Sequence, residues 1–425
     1  MRWRAHCGIC LRRIPNRSTS MWHVFRLLWS PRSLNGGPIV FKLSYMYQLP
    51  LFVFGLMFAT GSIAGLVPPE GIYQPPDLQS PGCEVTGRVM PGFKDYIKPG
   101  WQEAPQMQQK LLITSDPQPF RHKLGMDRKI KEPWTRITNR MAGILRSERE
   151  GGRYVPLIIN GDITEYGHGD ERAAFRSFIQ KTMSKSGGGP LFLPGLGNHD
   201  YANNVGKCAN NGCARDAVCD HIGWARTLRE NAQNFSFDHA FRDGTHTGSL
   251  AYSFEIGRLH IVQLNNEPGY TQSFETGGVA KGFKRRFNIT SSMSWLERDL
   301  QEAKRRGKVT IINMHKPNDW QDGSIRAKFK QLIEENHVVA LFAGHHHGDL
   351  GKMNYSMYGK VPLYSSGAIM FGTYLRVTFD WSASRMRVEW FDESTLKGQD
   401  TQPFTVPATD IPPVTTKPIT IPVGK

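Results

Sequence analysis

Five times along the chain a short apolar run stops at a cluster of Asp, Asn, Gln, Glu or His. Leu111–Ser115 leads into Asp116-Pro117-Gln118, and Val155–Asn160 into Gly161-Asp162-Ile163-Thr164-Glu165. Leu191–Gly195 leads into Gly197-Asn198-His199-Asp200, Val309–Met314 into His315, and Val338–Ala343 into Gly344-His345-His346-His347. Short uncharged apolar runs with such boundaries read as strands buried on both faces. Polar clusters just beyond strand ends are where α/β proteins bind their ligands. The chain is therefore constrained to a fold that carries five strand-end loops to one place.

The segments between the runs supply the helices of such a fold. Residues 129–147 have helical spacing, with Trp134, Ile137, Met141 and Ile144 on one face. Residues 170–184, 292–306 and 325–335 read as helices too. Leu250–Phe254 and Leu259–Leu264 read as a hairpin around Gly257. Val361–Ser365, Leu375–Asp380 and Met386–Trp390 read as closing strands. Alternating strands and helices followed by several strands argue an α/β domain around a central sandwich. With 39% apolar and 11% aromatic residues in 425, a sizeable core is available.

The ends of the chain look different from its middle. Half of the formal charge of +16 falls in residues 1–64, which hold eight Arg or Lys and no Asp or Glu. Elsewhere the basic residues are scattered, apart from runs such as Lys284-Arg285-Arg286 and Lys304-Arg305-Arg306. A nucleic-acid partner is disfavoured on that distribution, while an anionic substrate or an anionic membrane surface fits it. Leu49–Leu66 is uncharged and apolar and ends near Ser62 and Ala64, the pattern of a signal peptide or an uncleaved anchor. Met21 and Met46 are alternative starts. The expected divisions are 1–64 as leader or anchor, 65–104 as an irregular extension, 105–395 as the main domain and 396–425 as a Thr/Pro-rich tail. Within the domain, 201–248 reads as a long polar insertion.

Cys83, Cys208, Cys213 and Cys219 remain after the leader. In an exported chain they imply two disulfides, with three connectivities open. Sequons at Asn234, Asn288 and Asn354 would matter only in a eukaryotic secretory pathway.

Taken singly, Asp116 or Asp162 would serve as a helix cap, and Gly197-Asn198-His199-Asp200 as a turn. Their order together resembles the calcineurin-like metallophosphoesterase superfamily. That signature runs Asp-x-His, Gly-Asp-x-x-Asp/Glu, Gly-Asn-His-Asp/Glu, a lone His and Gly-His-x-His. The resemblance spans roughly Leu111 to Phe391. It implies a four-layer α/β/β/α sandwich and two divalent metals bridged by a carboxylate. By the match, Asp116, Gln118, Asp162 and His347 hold one ion, and Asp162, Asn198, His315 and His345 the other. His199 would protonate the leaving oxygen, with Asp200 orienting its ring. His346 would be a loop residue, and the substrate-binding residues are left open, with Tyr166 and His168 just after the second cluster as candidates beside a plain loop role.

The chemistry needs these residue types. A metal pair roughly 3.5–4 Å apart holds phosphoryl oxygens and makes hydroxide from water near neutrality. Mixed imidazole and oxygen donors suit Zn²⁺, Fe, Mn²⁺ or Co²⁺ better than Ca²⁺. Gln118 departs from the pattern, where His is usual, as in the Asp-Pro-Gln branch of the superfamily. The expected activity is hydrolysis of a phosphomonoester or phosphodiester. The alternatives are a binding module that has kept the fold, and a nuclease.

Overall fold

The computed structural model describes Cys83 and residues 101–103, 107–121, 133–149, 155–167, 169–182, 192–277 and 284–407. The leader, most of the 65–104 extension, His168 and the end of the tail lie outside the described residues.

Two sheets carry the architecture. The first runs, in spatial order, β17 (Thr395–Pro403), β16 (Arg385–Asp392), β15 (Thr373–Asp380), β1 (Gln108–Thr114), β2 (Leu157–Ile159) and β3 (Phe192–Pro194). The second runs β13 (Leu350–Met353), β14 (Leu363–Ser366), β12 (Val338–Ala343), β11 (Val309–Asn313), β8 (Leu259–Gln263), β7 (Tyr252–Ile256) and β4 (Ser236–Phe237). β1, β2 and β3 are mutually parallel, as are β8, β11, β12 and β14.

The alternation of side chains along a strand sorts the core into layers. On the second sheet Ile261, Ile311 and Phe342 join one core with Leu112, Ile158 and Leu193 of the first sheet. Their neighbours Val262, Ile312 and Leu341 point the other way, onto α4 (Met293–Arg305) and α5 (Arg326–Glu335). α1 (Trp134–Ser147) and α2 (Gly169–Thr182) pack with the first sheet through Trp134, Met141, Phe175 and Phe178. The result is the four-layer α/β/β/α sandwich. α1 begins at Trp134 with Pro133 as its extended N-cap, and residues 129–132 of the expected helix lie outside the described residues.

Residues 201–248 differ from the expected polar insertion. They hold an 18-residue helix, α3 (Gly212–Arg229), whose Ala214, Val218, Ile222, Ala225 and Leu228 are buried. They also supply β5 (Ala240–Arg242) and β6 (Thr245–Gly248), which join β10 (Arg285–Ile289) and β9 (Gln272–Thr276) in a third, four-stranded sheet. At the other end, β17 pairs antiparallel with β16 from Arg385↔Pro403 to Asp392↔Thr395. The expected boundary at 396 therefore falls inside a strand. β17 is hard to see in sequence because all of its residues are exposed or half-exposed at a sheet edge.

The cysteines pair as Cys83–Cys219 and Cys208–Cys213. The first spans 136 residues and ties the extension to α3. By the chain-entropy argument a loop of that length stabilises by up to about 5 kcal/mol. Cys219→Ser should therefore lower the melting temperature clearly, while Cys208→Ser, which opens a short loop, should matter less. Non-reducing peptide maps should show both linkages. Equal melting temperatures for the two variants and the parent would contradict this account.

Candidate metal centre

Parallel strands with a common direction deliver their loops to one edge. Asp116, Asp162, Asn198, His315 and His345 all lie within four residues of the ends of β1, β2, β3, β11 and β12. Backbone bonds lock these loops together: Asp116 N–H donates to Gly161 O at 3.1 Å, and Gly344 N–H to His315 O at 3.0 Å. Asp116, Gln118, Asp162 and His345 adopt φ of 50°, 36°, 50° and 71°. Side chains rarely occupy that left-handed region, and such strain gathers at functional sites. Two glycines permit the close approach. A Cβ on Gly197 would stand 2.2 Å from Asp162 Oδ1, and one on Gly161 would stand 2.7 Å from His315 Nδ1.

The seven expected ligands come together in two groups that share one carboxylate. Donor atoms of Asp162, His315 and His345 lie within 4.8 Å of one another, as do those of Asp116, Asp162 and His347. Asn198 Oδ1 is 3.0 Å from His315 Nε2, and Gln118 Nε2 is 3.3 Å from Asp162 Oδ2. Nearly all of this is buried, with Asp116 and His315 at 0% exposure and Asp162 at 1%.

The donor set fits metal ions. His315 Nδ1 lies 2.7 Å from the Asn160 carbonyl, which directs Nε2 inward. That Nε2 faces Asn198 Oδ1, Asp162 Oδ2 at 3.3 Å and His345 Nδ1 at 3.2 Å. Acceptors crowded so closely need a cation or a proton between them. Burial disfavours a charged His315, but Asp162 and Asp116 outweigh it and pull the ring up to about 9. Burial, and then the charge on His315, push His345 down to about 3. Burial also raises Asp162, yet His315 and the His199 amide hold it below the usual carboxylate range. The cluster is thus built to hold positive charge, which a divalent ion supplies by displacing the proton. Gln118 Oε1 is buried with no hydrogen-bond partner, as a ligand atom facing an ion would be, and Asp116 Oδ1 faces His347 Nε2 at 3.2 Å.

The His199 amide donates to Asp162 Oδ1 at 2.8 Å, and the expected orienting contact of its ring with Asp200 is not made. Asp200 accepts from the amides of Ile163 at 3.1 Å, Thr164 at 3.0 Å and Gly197 at 2.8 Å. Its carboxylate is committed to pinning two active-site loops. The His199 ring instead presents Nδ1 to the Glu165 carbonyl at 3.2 Å and to Glu165 Oε1 at 3.3 Å. Glu165 also pairs with Arg121 and with Gln118. In sequence Glu165 belongs to the second cluster without an assigned role, and nothing there singles out Arg121. His346 bonds Asn318 Oδ1 at 2.8 Å through Nε2. Tyr166 is half-buried.

Residues 110–349 match the family model described as calcineurin-like phosphoesterase. The chain belongs to that family. Among solved structures it is similar to the 5'-nucleotidase from Candida albicans, with 13% identity and a TM-score of 0.38 over 69% of this chain and 53% of that one. It is also similar to the 5'-nucleotidase precursor from Thermus thermophilus, with 11% identity and a TM-score of 0.32 over 71% and 55%. The chain thus spans about half the length of each. No curated protein matches it.

Proposed function

We propose that the chain is an exported phosphoesterase with a two-metal centre that hydrolyses phosphomonoesters or phosphodiesters. The observation that carries the reading is the pair of buried ligand groups sharing Asp162. Asp116, Gln118, Asp162 and His347 would hold one ion, and Asp162, Asn198, His315 and His345 the other. Zn²⁺, Fe, Mn²⁺ and Co²⁺ all suit these donors. When bound, the ions supply positive charge for the phosphoryl oxygens and make a water nucleophilic near neutral pH.

The protein's own groups do the rest. His199, held through Nδ1 against Glu165, has Nε2 to give a proton to the leaving oxygen. Asp200 keeps the loops bearing Asp162 and Asn198 in register through the amides it gathers. Two disulfides support export, since such bonds persist in oxidising compartments. Among the described residues no helix is long and apolar enough to cross a membrane.

The test is a panel of phosphomonoesters and diesters, with plasmid and RNA included, against purified metal-loaded protein. Hydrolysis of at least one small ester class is expected, with two bound ions per chain. Chelation should cut the rate at least about a thousandfold, and adding the ions back should restore it. A chain that binds two ions and hydrolyses no phosphoester would be a binding module, and degradation of nucleic acid alone would make it a nuclease.

A further inference from the structure

Gln118 poses a problem that a histidine in its place would not. An amide can turn either its oxygen or its NH₂ toward an ion, and only the oxygen is a ligand. The neighbours of Gln118 settle the choice. Its Nε2 donates to Glu165 Oε2 at 2.8 Å and lies 3.3 Å from Asp162 Oδ2. Both are carboxylate oxygens, which accept and cannot donate, so the flipped amide would set oxygen against oxygen. Gln118 Oε1 is consequently turned away from these carboxylates, buried and without a hydrogen-bond partner. The main chain is fixed too, because Gln118 N–H donates to the Asp162 carbonyl at 3.3 Å.

Glu165 is itself fully buried. Arg121, whose Nη1 meets the same Oε2, provides the countercharge that keeps a carboxylate tolerable there. One buried carboxylate thus grips the amide of a proposed ligand and is held by a cation outside the ligand set.

We propose that Glu165 is a positioning residue for the metal centre: by holding the nitrogen of the Gln118 amide, it commits Gln118 Oε1 to the first metal position and sets the affinity there. The proposal rests on the metal-centre reading above, and it is distinct from the contact Glu165 makes with His199. It also explains how an amide serves where the family usually has an imidazole. The weaker ligand is pre-oriented, so no affinity is lost to the wrong rotamer.

Competitive chelator titration with Zn²⁺ and metal counting on the full chain test this. The parent should bind two ions. Glu165→Gln, whose own amide can face Gln118 either way round, should weaken one position by about 10–100-fold, the usual effect of losing a ligand's supporting hydrogen bond. The other position should stay within about twofold. Glu165→Asp, which keeps the charge but shortens the reach, should weaken the same position. Gln118→His combined with Glu165→Gln should recover to within about threefold of Gln118→His alone, because an imidazole has no amide end to choose. If Glu165→Gln and Glu165→Asp keep both affinities, the proposal is overturned while the metal centre stands. A parent that binds fewer than two ions would overturn the metal-centre reading and the proposal with it.

Discussion

Asp162→Asn is expected to reduce bound metal from two ions to one or none, and to lower kcat/KM at least about a thousandfold, equivalent to roughly 4 kcal/mol. Asp162 is the one residue common to both ligand groups. Its Oδ2 lies 3.3 Å from His315 Nε2, while its Oδ1 accepts the His199 amide at 2.8 Å. The asparagine matches it in shape and can still accept that amide through its oxygen, so the loops should keep their register. The charge and the second oxygen are lost, and a single neutral oxygen cannot bridge two cations. Metal counting separates this effect from unfolding. An Asp162→Asn protein with two tightly bound ions and parental turnover would show that the bridge lies elsewhere.

The proposed ligands are legible as a set because they stand within a few residues of the ends of apolar strands. β2, β3 and β11 are buried along their whole length, so their apolar runs end sharply where the loops begin. What stayed hidden lacks that contrast. In α3 the apolar positions 214, 218, 222, 225 and 228 do follow a helical period, yet Arg215, Asp216, Asp220 and His221 interrupt it. Those polar residues are not solvent-facing decoration. Arg172 of α2 reaches Asp216 at 3.1 Å and also pairs with Asp220, so a charged network substitutes for apolar contact between the helices. Hydrophobic periodicity cannot register such a network. The partner of the His199 ring is hidden in the sequence for a related reason. Asp200 is its neighbour in sequence, but a residue and its neighbour in a tight turn face different ways. Glu165 comes from another loop and meets the ring only after β2 and β3 pair. Sequence adjacency suggested the wrong carboxylate, and tertiary structure supplied the right one.

His199→Ala is expected to leave both ions in place and to lose turnover in proportion to the basicity of the leaving group. The His199 main chain, not its ring, touches the metal centre: its amide donates to Asp162 Oδ1, and its carbonyl accepts from Asn204 Nδ2. Alanine keeps both bonds, so the cluster should assemble unchanged. What disappears is a ring held through Nδ1 by Glu165 with its other nitrogen available to give a proton. Proton donation by a placed side chain is worth about 10²–10⁴-fold when the leaving oxygen is a strong base. Alkyl phosphates should suffer that loss, while nitrophenyl phosphate, whose leaving group needs little protonation, should lose less than about tenfold. Asp200→Asn is the informative comparison. That carboxylate holds the amides of Ile163, Thr164 and Gly197 and does not meet the ring, so its loss should slow both substrates alike. Steady-state rates on the two substrate classes, with metal content checked for each variant, decide the matter. Should His199→Ala slow alkyl and nitrophenyl esters equally, the ring would be binding the phosphoryl group and not protonating the leaving oxygen.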